Sequence, residues 1–223
     1  LKVNRKFKVI AIDGPAGSGK STTAKLVAKK LGFLYLDTGA MYRALTYKVI
    51  RKKIDPGSSS DVVSLLKNTK LSVQSQRGNC KIILDGKAVS SRLRSKAIEE
   101  NVSAVSRHAA VRKMMVFLQR DVARKGNLVI EGRDTTSVVF PDADLRIYLE
   151  ASLNERAKRR TKIKGALRLQ KMELARRDRF DSTRRIAPLK KTRGSIVVDT
   201  TRLSIPQQVN RVLELYRRKV ERR

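Results

Sequence analysis

The stretch Gly14-Pro15-Ala16-Gly17-Ser18-Gly19-Lys20-Ser21-Thr22 constrains this chain more than any other. It has the spacing Gly-x4-Gly-Lys-Ser, and glycines there can take backbone angles that turn successive N–H groups inward, making an anion nest. Residues 7–12 before it form a short apolar run ending at Asp13-Gly14, which reads as a buried parallel strand. After it, Ala24, Leu26, Val27, Ala28 and Leu31 recur at helical spacing, and Gly32 supplies a C-cap. Strand, Gly-rich turn and helix together define a phosphate-binding loop, with the helix N-terminus adding partial positive charge. The whole loop, Gly14 to Thr22, is expected to hold ATP, with Lys20 reaching the β- and γ-phosphates and the Ser21 hydroxyl holding Mg²⁺. The loop alone does not separate a kinase from an ATPase or a GTPase. A GTPase would carry Asn/Thr-Lys-x-Asp, and Asn68-Thr69-Lys70-Leu71 lacks the Asp. A motor ATPase would carry a longer chain and two carboxylates ending a strand.

The rest of the chain alternates short apolar runs with helical patterns. Strands are predicted at 33–36, 128–130, 145–149 and 195–198 besides the first, and helices at 40–50 and 61–66 and from about 206 onward. Residues 96–126 read as helical. Ser152-Leu153-Asn154-Glu155 has capping-box spacing, and two basic helical pieces follow it to about Arg185. Between the helical patterns the period changes. Leu71, Val73 and Ser75 alternate with polar residues, and turns at Arg77-Gly78-Asn79 and Asp85-Gly86 separate further short strands, which makes an antiparallel meander. The predicted fold is α/β: a five-stranded parallel sheet with helices on both faces. One domain spans 1–223, with a core of about 7–58, 96–152 and 186–223, a β insert of about 60–95 and a basic helical segment of about 153–185.

Charge raises a second possibility. Lys and Arg number 52 against 20 Asp and Glu, a formal net of +32, as a nucleic-acid binder would have. The ten Phe and Tyr residues form no stacking series, however, and no RNA-recognition or zinc-finger spacing occurs. A solvated basic surface, with some arginines gathering small phosphate ligands, is the reading preferred here, and a nucleic-acid partner is not expected. The segment 1–12 does not have the pattern of a signal peptide, and no apolar run is long enough to span a membrane. With a single cysteine, Cys80, the expected setting is the reducing cytoplasm.

Three further segments carry a resemblance. Asp37-Thr38-Gly39-Ala40-Met41-Tyr42-Arg43 follows the second strand. Glu131-Gly132-Arg133-Asp134 and Val138-Val139-Phe140-Pro141-Asp142-Ala143 follow the third. Ala187-Pro188-Leu189 precedes the last strand, which ends in Asp199-Thr200-Thr201. With the phosphate loop, these make the chain similar to bacterial-type cytidylate kinases from about Lys8 to Tyr216. That resemblance implies phosphorylation of CMP and dCMP by ATP with Mg²⁺, and a monomer is the expected state. It implies that Arg43, Arg133 and Arg184 grip the CMP phosphate near Thr38. Ser103, Arg112 and Asp134 would face cytosine, with Ser106 competing for the place of Ser103. Arg177 and Asp181 would reach the ribose and phosphate, and the meander would be the acceptor-binding insert. Residues 153–185 would form a lid whose Arg156, Arg159 and Arg160 share one helix face, with Arg156 and Arg160 the candidates for transfer. Lys158, Lys162 and Lys164 leave a plain solvated face open as the alternative. Thr135-Thr136-Ser137 departs from the family, which usually has a Gly-containing turn there, and the stretch 161–172 is shorter and more basic than the family's lid.

Physical chemistry supports part of this. A guanidinium pairs bidentately with phosphate. Asp134 can accept from the exocyclic amine of cytosine and Arg112 can donate to its ring acceptors, so UMP is expected to be a poorer substrate. From spacing alone, Arg177, Asp181 and Arg184 could equally form an exposed salt-bridge ladder. His108 reads as a helix-surface residue and Cys80 as packing. Asp13 is either a structural acceptor or a group near the phosphates and Mg²⁺. Two rivals remain: an RNA-binding protein with a nucleotide switch, which would not need Arg43, Arg133 and Asp134, and a shikimate-type kinase, against which the Met41-Tyr42-Arg43 helix and the meander argue.

Overall fold

Five parallel strands form the centre of the computed structural model, which describes residues 6–76, 78–89, 93–161 and 166–221. In sheet order they are β2 (Leu34–Asp37), β6 (Leu128–Gly132), β1 (Val9–Asp13), β7 (Leu145–Glu150) and β8 (Ile196–Asp199). Every residue of β1 and β6 is buried, because helices cover both faces and leave no polar side to the strand. Side chains alternate, so Ile10 and Ile12 join a cluster with Ala24, Val27, Ile147 and Val212, beneath α1 (Lys20–Leu31) and α8 (Ile205–Tyr216). Val9 and Ala11 face the other cluster, with Leu36 of β2 and with Met41, Leu45 and Met115 from α2 (Thr38–Arg51) and α5 (Ala109–Val122). Strand β1 pairs with β6 on one side and β7 on the other, so the chain changes direction at its carboxyl end. In sheets of this kind a crevice opens at that switch point.

The meander forms as expected from β3 (Leu71–Gln76), β4 (Asn79–Leu84) and β5 (Lys87–Ala88), all antiparallel. It does not stand apart. Tyr35 pairs with Asn79, and the Tyr35 N–H donates to Gly78 O at 3.1 Å, so the insert continues the core sheet to eight strands. Buried Leu71, Val73, Ile82 and Leu84 hold it on the core, and Lys48 Nζ pins its turn by donating to Asn68 O at 2.7 Å and pairing with Asp85 at 2.6 Å. Arg77 of the predicted first turn lies outside the described residues.

Several boundaries differ from the pattern in the sequence. The helical stretch 96–126 is two helices, α4 (Lys96–Ser106) and α5, broken at Arg107-His108. His108 is therefore not a surface helix residue. It is the extended N-cap of α5, buried, with Nε2 at 2.8 Å from Pro56 O. Helix α2 starts at Thr38 because the Asp37 carboxylate accepts from the Ala40 N–H at 2.9 Å. Ser204 and Gln207 close a reciprocal capping box on α8, which ends at Tyr216 in a π-helical turn, Arg217–Glu221. Helix α3 (Ser59–Lys67) takes Ser58 as cap. The basic segment is α6 (Leu153–Arg160) and α7 (Leu167–Thr183).

Candidate active site

The phosphate loop joins β1 to α1 at the switch point, and two glycines there answer to geometry. A Cβ on Gly14 would lie 2.0 Å from the Leu149 carbonyl oxygen, and Gly19, the N-cap of α1, has φ 90°. Lys20, buried, turns its Nζ to Pro15 O at 3.4 Å and to Glu131 Oε2 at 3.8 Å. Burial, then the nearby Arg133 guanidinium, lowers the Lys20 ammonium to about 8, against the pull of Glu131. Glu131 itself is pushed up by burial and by Asp37. Its Oε1 accepts from Ser21 Oγ at 2.7 Å. Sequence reasoning did not single out Glu131, although a carboxylate closing the apolar run Leu128-Val129-Ile130 was a signal for it. Ser21 and Glu131 offer adjacent hard oxygens of the kind Mg²⁺ takes when most of its shell is phosphate and water.

A cavity of about 740 Å³ opens from this loop, and Ala16, Gly17, Gly19, Lys20, Ser21 and Thr22 line one end. Gly14, Pro15 and Ser18 of the predicted ATP loop are buried and do not line it. The other end brings together Thr38, Arg43, Ser103, Arg112, Arg133, Asp134, Arg177, Asp181 and Arg184, which come from four separate stretches of chain. Thr38 donates its hydroxyl to Glu131 O at 2.9 Å. Arg112 and Asp134 are bonded directly to each other, and Arg112 Nη1 donates to Ser106 O at 3.0 Å. Both Ser103 and Ser106 face the cavity, and Ser106 Oγ donates to Ser103 O at 3.0 Å. Arg133 Nε donates to Asp181 Oδ2 at 2.8 Å. Burial alone would push the Asp181 carboxyl up, but Arg133, then Arg184 and Arg177, hold it below the usual range. Arg184 is not on the α7 face with Arg177 and Asp181. It is the extended C-cap, its Nε donates to Ala187 O at 2.7 Å, and its buried Nη2 has no hydrogen-bond partner while lying 3.7 Å from Asp134 Oδ1.

Three arginines of the basic segment, Arg156, Arg159 and Arg160, separate. Arg160 lines the cavity, 4.0 Å from Glu99. Arg156 does not: its Nε donates to Ala151 O at 2.9 Å, and its Nη1 donates to Ala16 O at 3.1 Å and pairs with Asp178 at 2.6 Å. It braces the phosphate loop from behind. Arg159 lines the cavity and donates twice to Thr200. Lys158 is solvent-exposed, and Lys162 and Lys164 lie outside the described residues.

Asp13 is a structural acceptor, fully buried. Its Oδ1 accepts from the N–H and hydroxyl of Thr135 at 2.9 and 2.7 Å, and its Oδ2 from those of Thr136, both at 2.7 Å. The departure at Thr135-Thr136 is thus accommodated by a π-helical turn (Thr135–Val139) moored to the strand that carries the phosphate loop. Burial raises the Asp13 carboxyl despite these four bonds. Cys80 is partly buried against the core, as expected of a packing residue. Among the described residues, no helix is long and apolar enough to cross a membrane.

A phosphate loop facing a pocket of arginines across one cavity on a parallel α/β sheet defines the nucleotide-dependent phosphotransferases of the P-loop class. Comparison with known proteins narrows that class: the cytidylate kinase family model matches residues 10–218. A cytidylate kinase of Geobacillus sp. strain WCH70 is 44% identical over 95% of this chain and 97% of its own. Those of Bacillus cereus (42%, over 92% and 94%) and Oceanobacillus iheyensis (41%, over 92% and 91%) are similar to it as well. The chain belongs to the cytidylate kinase family.

Proposed function

We propose that this protein transfers the γ-phosphoryl group of ATP to CMP or dCMP, releasing ADP and CDP or dCDP. The observation carrying this reading is the single cavity that has Lys20 and the loop glycines at one end and Arg43, Arg112, Arg133, Asp134 and Arg184 at the other. The loop N–H groups and Lys20 would take the donor phosphates. Ser21, beside Glu131, would hold Mg²⁺, which when bound offsets charge on the phosphate oxygens. Arg43, Arg133 and Arg184 would hold the acceptor phosphate. Asp134 and Arg112 would read cytosine, and Arg177 with Asp181 the ribose and phosphate. Arg160 would approach from the lid, while Arg156 is better placed to steady the Ala16 peptide. Transfer of this kind needs little covalent work from the protein, only in-line placement and positive charge where negative charge gathers. In this reading the chain is one kinase domain working as a monomer in the cytoplasm, with residues 60–95 as the acceptor insert and 153–185 as the lid.

A panel assay of ATP with CMP, dCMP, UMP, AMP and GMP tests it. CDP and dCDP should form far faster than the other diphosphates. No CDP formation, together with strongly salt-dependent RNA binding, would refute it.

A further inference from the structure

The cavity is lined by arginines that are already paired. Arg43 is held by Asp37 at 2.8 Å, Arg133 by Asp181 at 2.8 Å, Arg112 by Asp134, and Arg177 by Glu99 at 2.6 Å. Three of these carboxylates are fixed by other duties. Asp37 caps α2, Asp134 and Asp181 are more than nine-tenths buried, and each faces a second cation or a backbone donor. Glu99 is different. Its side chain, on α4, is 28% exposed on the cavity wall. It meets Arg177 of α7 and lies 4.0 Å from Arg160 of α6, so one carboxylate ties α4 to both helices of the basic segment. The Arg177 Nε atom is buried without a partner, so the contact with Glu99 leaves this guanidinium incompletely satisfied.

We infer that Glu99 is a displaceable stand-in for the acceptor phosphate: its carboxylate occupies Arg177 and Arg160 in the empty site and gives them up when a nucleoside monophosphate enters. This rests on the proposed monophosphate-kinase reading and goes beyond it by assigning a residue that competes with substrate. A carboxylate carries one negative charge and two acceptor oxygens, whereas a terminal phosphate carries nearly two charges and three acceptors, so a phosphate monoester out-competes it for a guanidinium. A phosphodiester, with one charge, gains little from the exchange. The stand-in would keep several desolvated cations from facing one another unpaired, and a ligand with a terminal phosphate would have to displace it whereas a nucleoside would not.

The test is Glu99→Gln, which keeps the shape and removes the charge. KM for CMP should fall about two- to fivefold, the scale of losing one partly exposed competing ion pair, and KM for ATP should hold. Inhibition by cytidine, which has no phosphate to displace Glu99, should hold as well. Glu100→Gln is the control. Glu100 is the next residue, pairs at 3.9 Å with Lys96 on the outer face of α4 and does not line the cavity, so the same charge change there should leave all three constants alone. An unchanged or raised KM for CMP in Glu99→Gln, or an equal fall in Glu100→Gln, overturns the inference while CDP formation by the parent protein leaves the kinase reading standing. Absence of CDP formation by the parent protein would sink the kinase reading itself.

Discussion

ATP binding should carry a proton with it, and Lys20 sets the size of the effect. In the empty site burial and Arg133 bring its ammonium down to about 8. Beside the donor phosphates it should return to the ordinary range of about 10.4 or above, because neighbouring anions favour the charged form. Only the protonated lysine serves the phosphates, so affinity falls as pH rises above the lower value. Between pH 7.5 and pH 9 the dissociation constant of ATP should rise about eightfold. At pH 8.5 about three-quarters of a proton should be taken up per ATP bound, since that fraction of free enzyme lacks it. Isothermal titration in two buffers of different ionisation enthalpy measures this uptake directly. Lys20→Arg, charged throughout, should bind with little uptake and a flat profile over the same range, which isolates Lys20 from other groups. A second consequence has the opposite sign. The unfolded lysine binds more protons than the folded one between pH 8 and about 10.5, so the ligand-free protein should gain stability with rising pH there, on the order of 3 kcal/mol for this group. ATP affinity independent of pH from 7.5 to 9, with no difference in uptake between the parent and Lys20→Arg, would refute the argument.

Three other substitutions or substrates probe the site. Arg184→Ala should lower kcat/KM for CMP about 10- to 100-fold, the range of one charge-assisted phosphate contact, with KM for CMP raised and KM for ATP little changed; wild-type kinetics would remove it from the site. UMP should be used about 100-fold less efficiently than CMP, because uracil presents an acceptor where Asp134 needs a donor, and matched kcat/KM values would discount Asp134 and Arg112 as base readers. Asp13→Asn turns one acceptor oxygen into a donor facing a Thr N–H and hydroxyl, and only the hydroxyl can rotate to accept. One buried N–H then stays unpaired, for a loss of about 1–3 kcal/mol in denaturant unfolding; unchanged stability would mean that the four bonds to Asp13 are not holding the turn.

The parts of this molecule that could be read from the sequence are those written in local pattern. The loop glycines, the apolar runs and the period change at Leu71–Ser75 each reflect a backbone constraint within a few residues, and the five strands and the meander followed from them. Long-range contacts were not legible. Asp13 was left between two roles because its partners Thr135 and Thr136 lie about 120 residues on. His108 was misread because the helical periodicity runs across Arg107-His108, while the break is made by a bond to Pro56, 52 residues earlier. Arg184 has correct helical spacing from Asp181, yet leaves the helix because its Nε caps Ala187 O, and Arg156 shares a face with Arg160 but is drawn to Ala16 and Asp178 instead. In each case a polar atom found its partner outside the element that carries it.

The same contrast bears on the charge. A net of +32 suggests a protein built to attract polyanions, and the cavity does contain many arginines. Yet Arg43, Arg112, Arg133 and Arg177 each meet a carboxylate within hydrogen-bonding distance. An arginine buried without an anion would pay heavily for lost water, and several together would repel one another. The site therefore carries its own counter-charges, and an incoming phosphate does not fill a bare cationic pit. It redistributes guanidinium contacts that already exist. Specificity then depends on which carboxylates yield and which stay: Asp134 and Asp181 are buried and doubly engaged, so they hold the arginines in place, whereas Glu99 is exposed enough to let go. Bulk charge sets how often an anion arrives. The arrangement of acids among the arginines sets which anion remains.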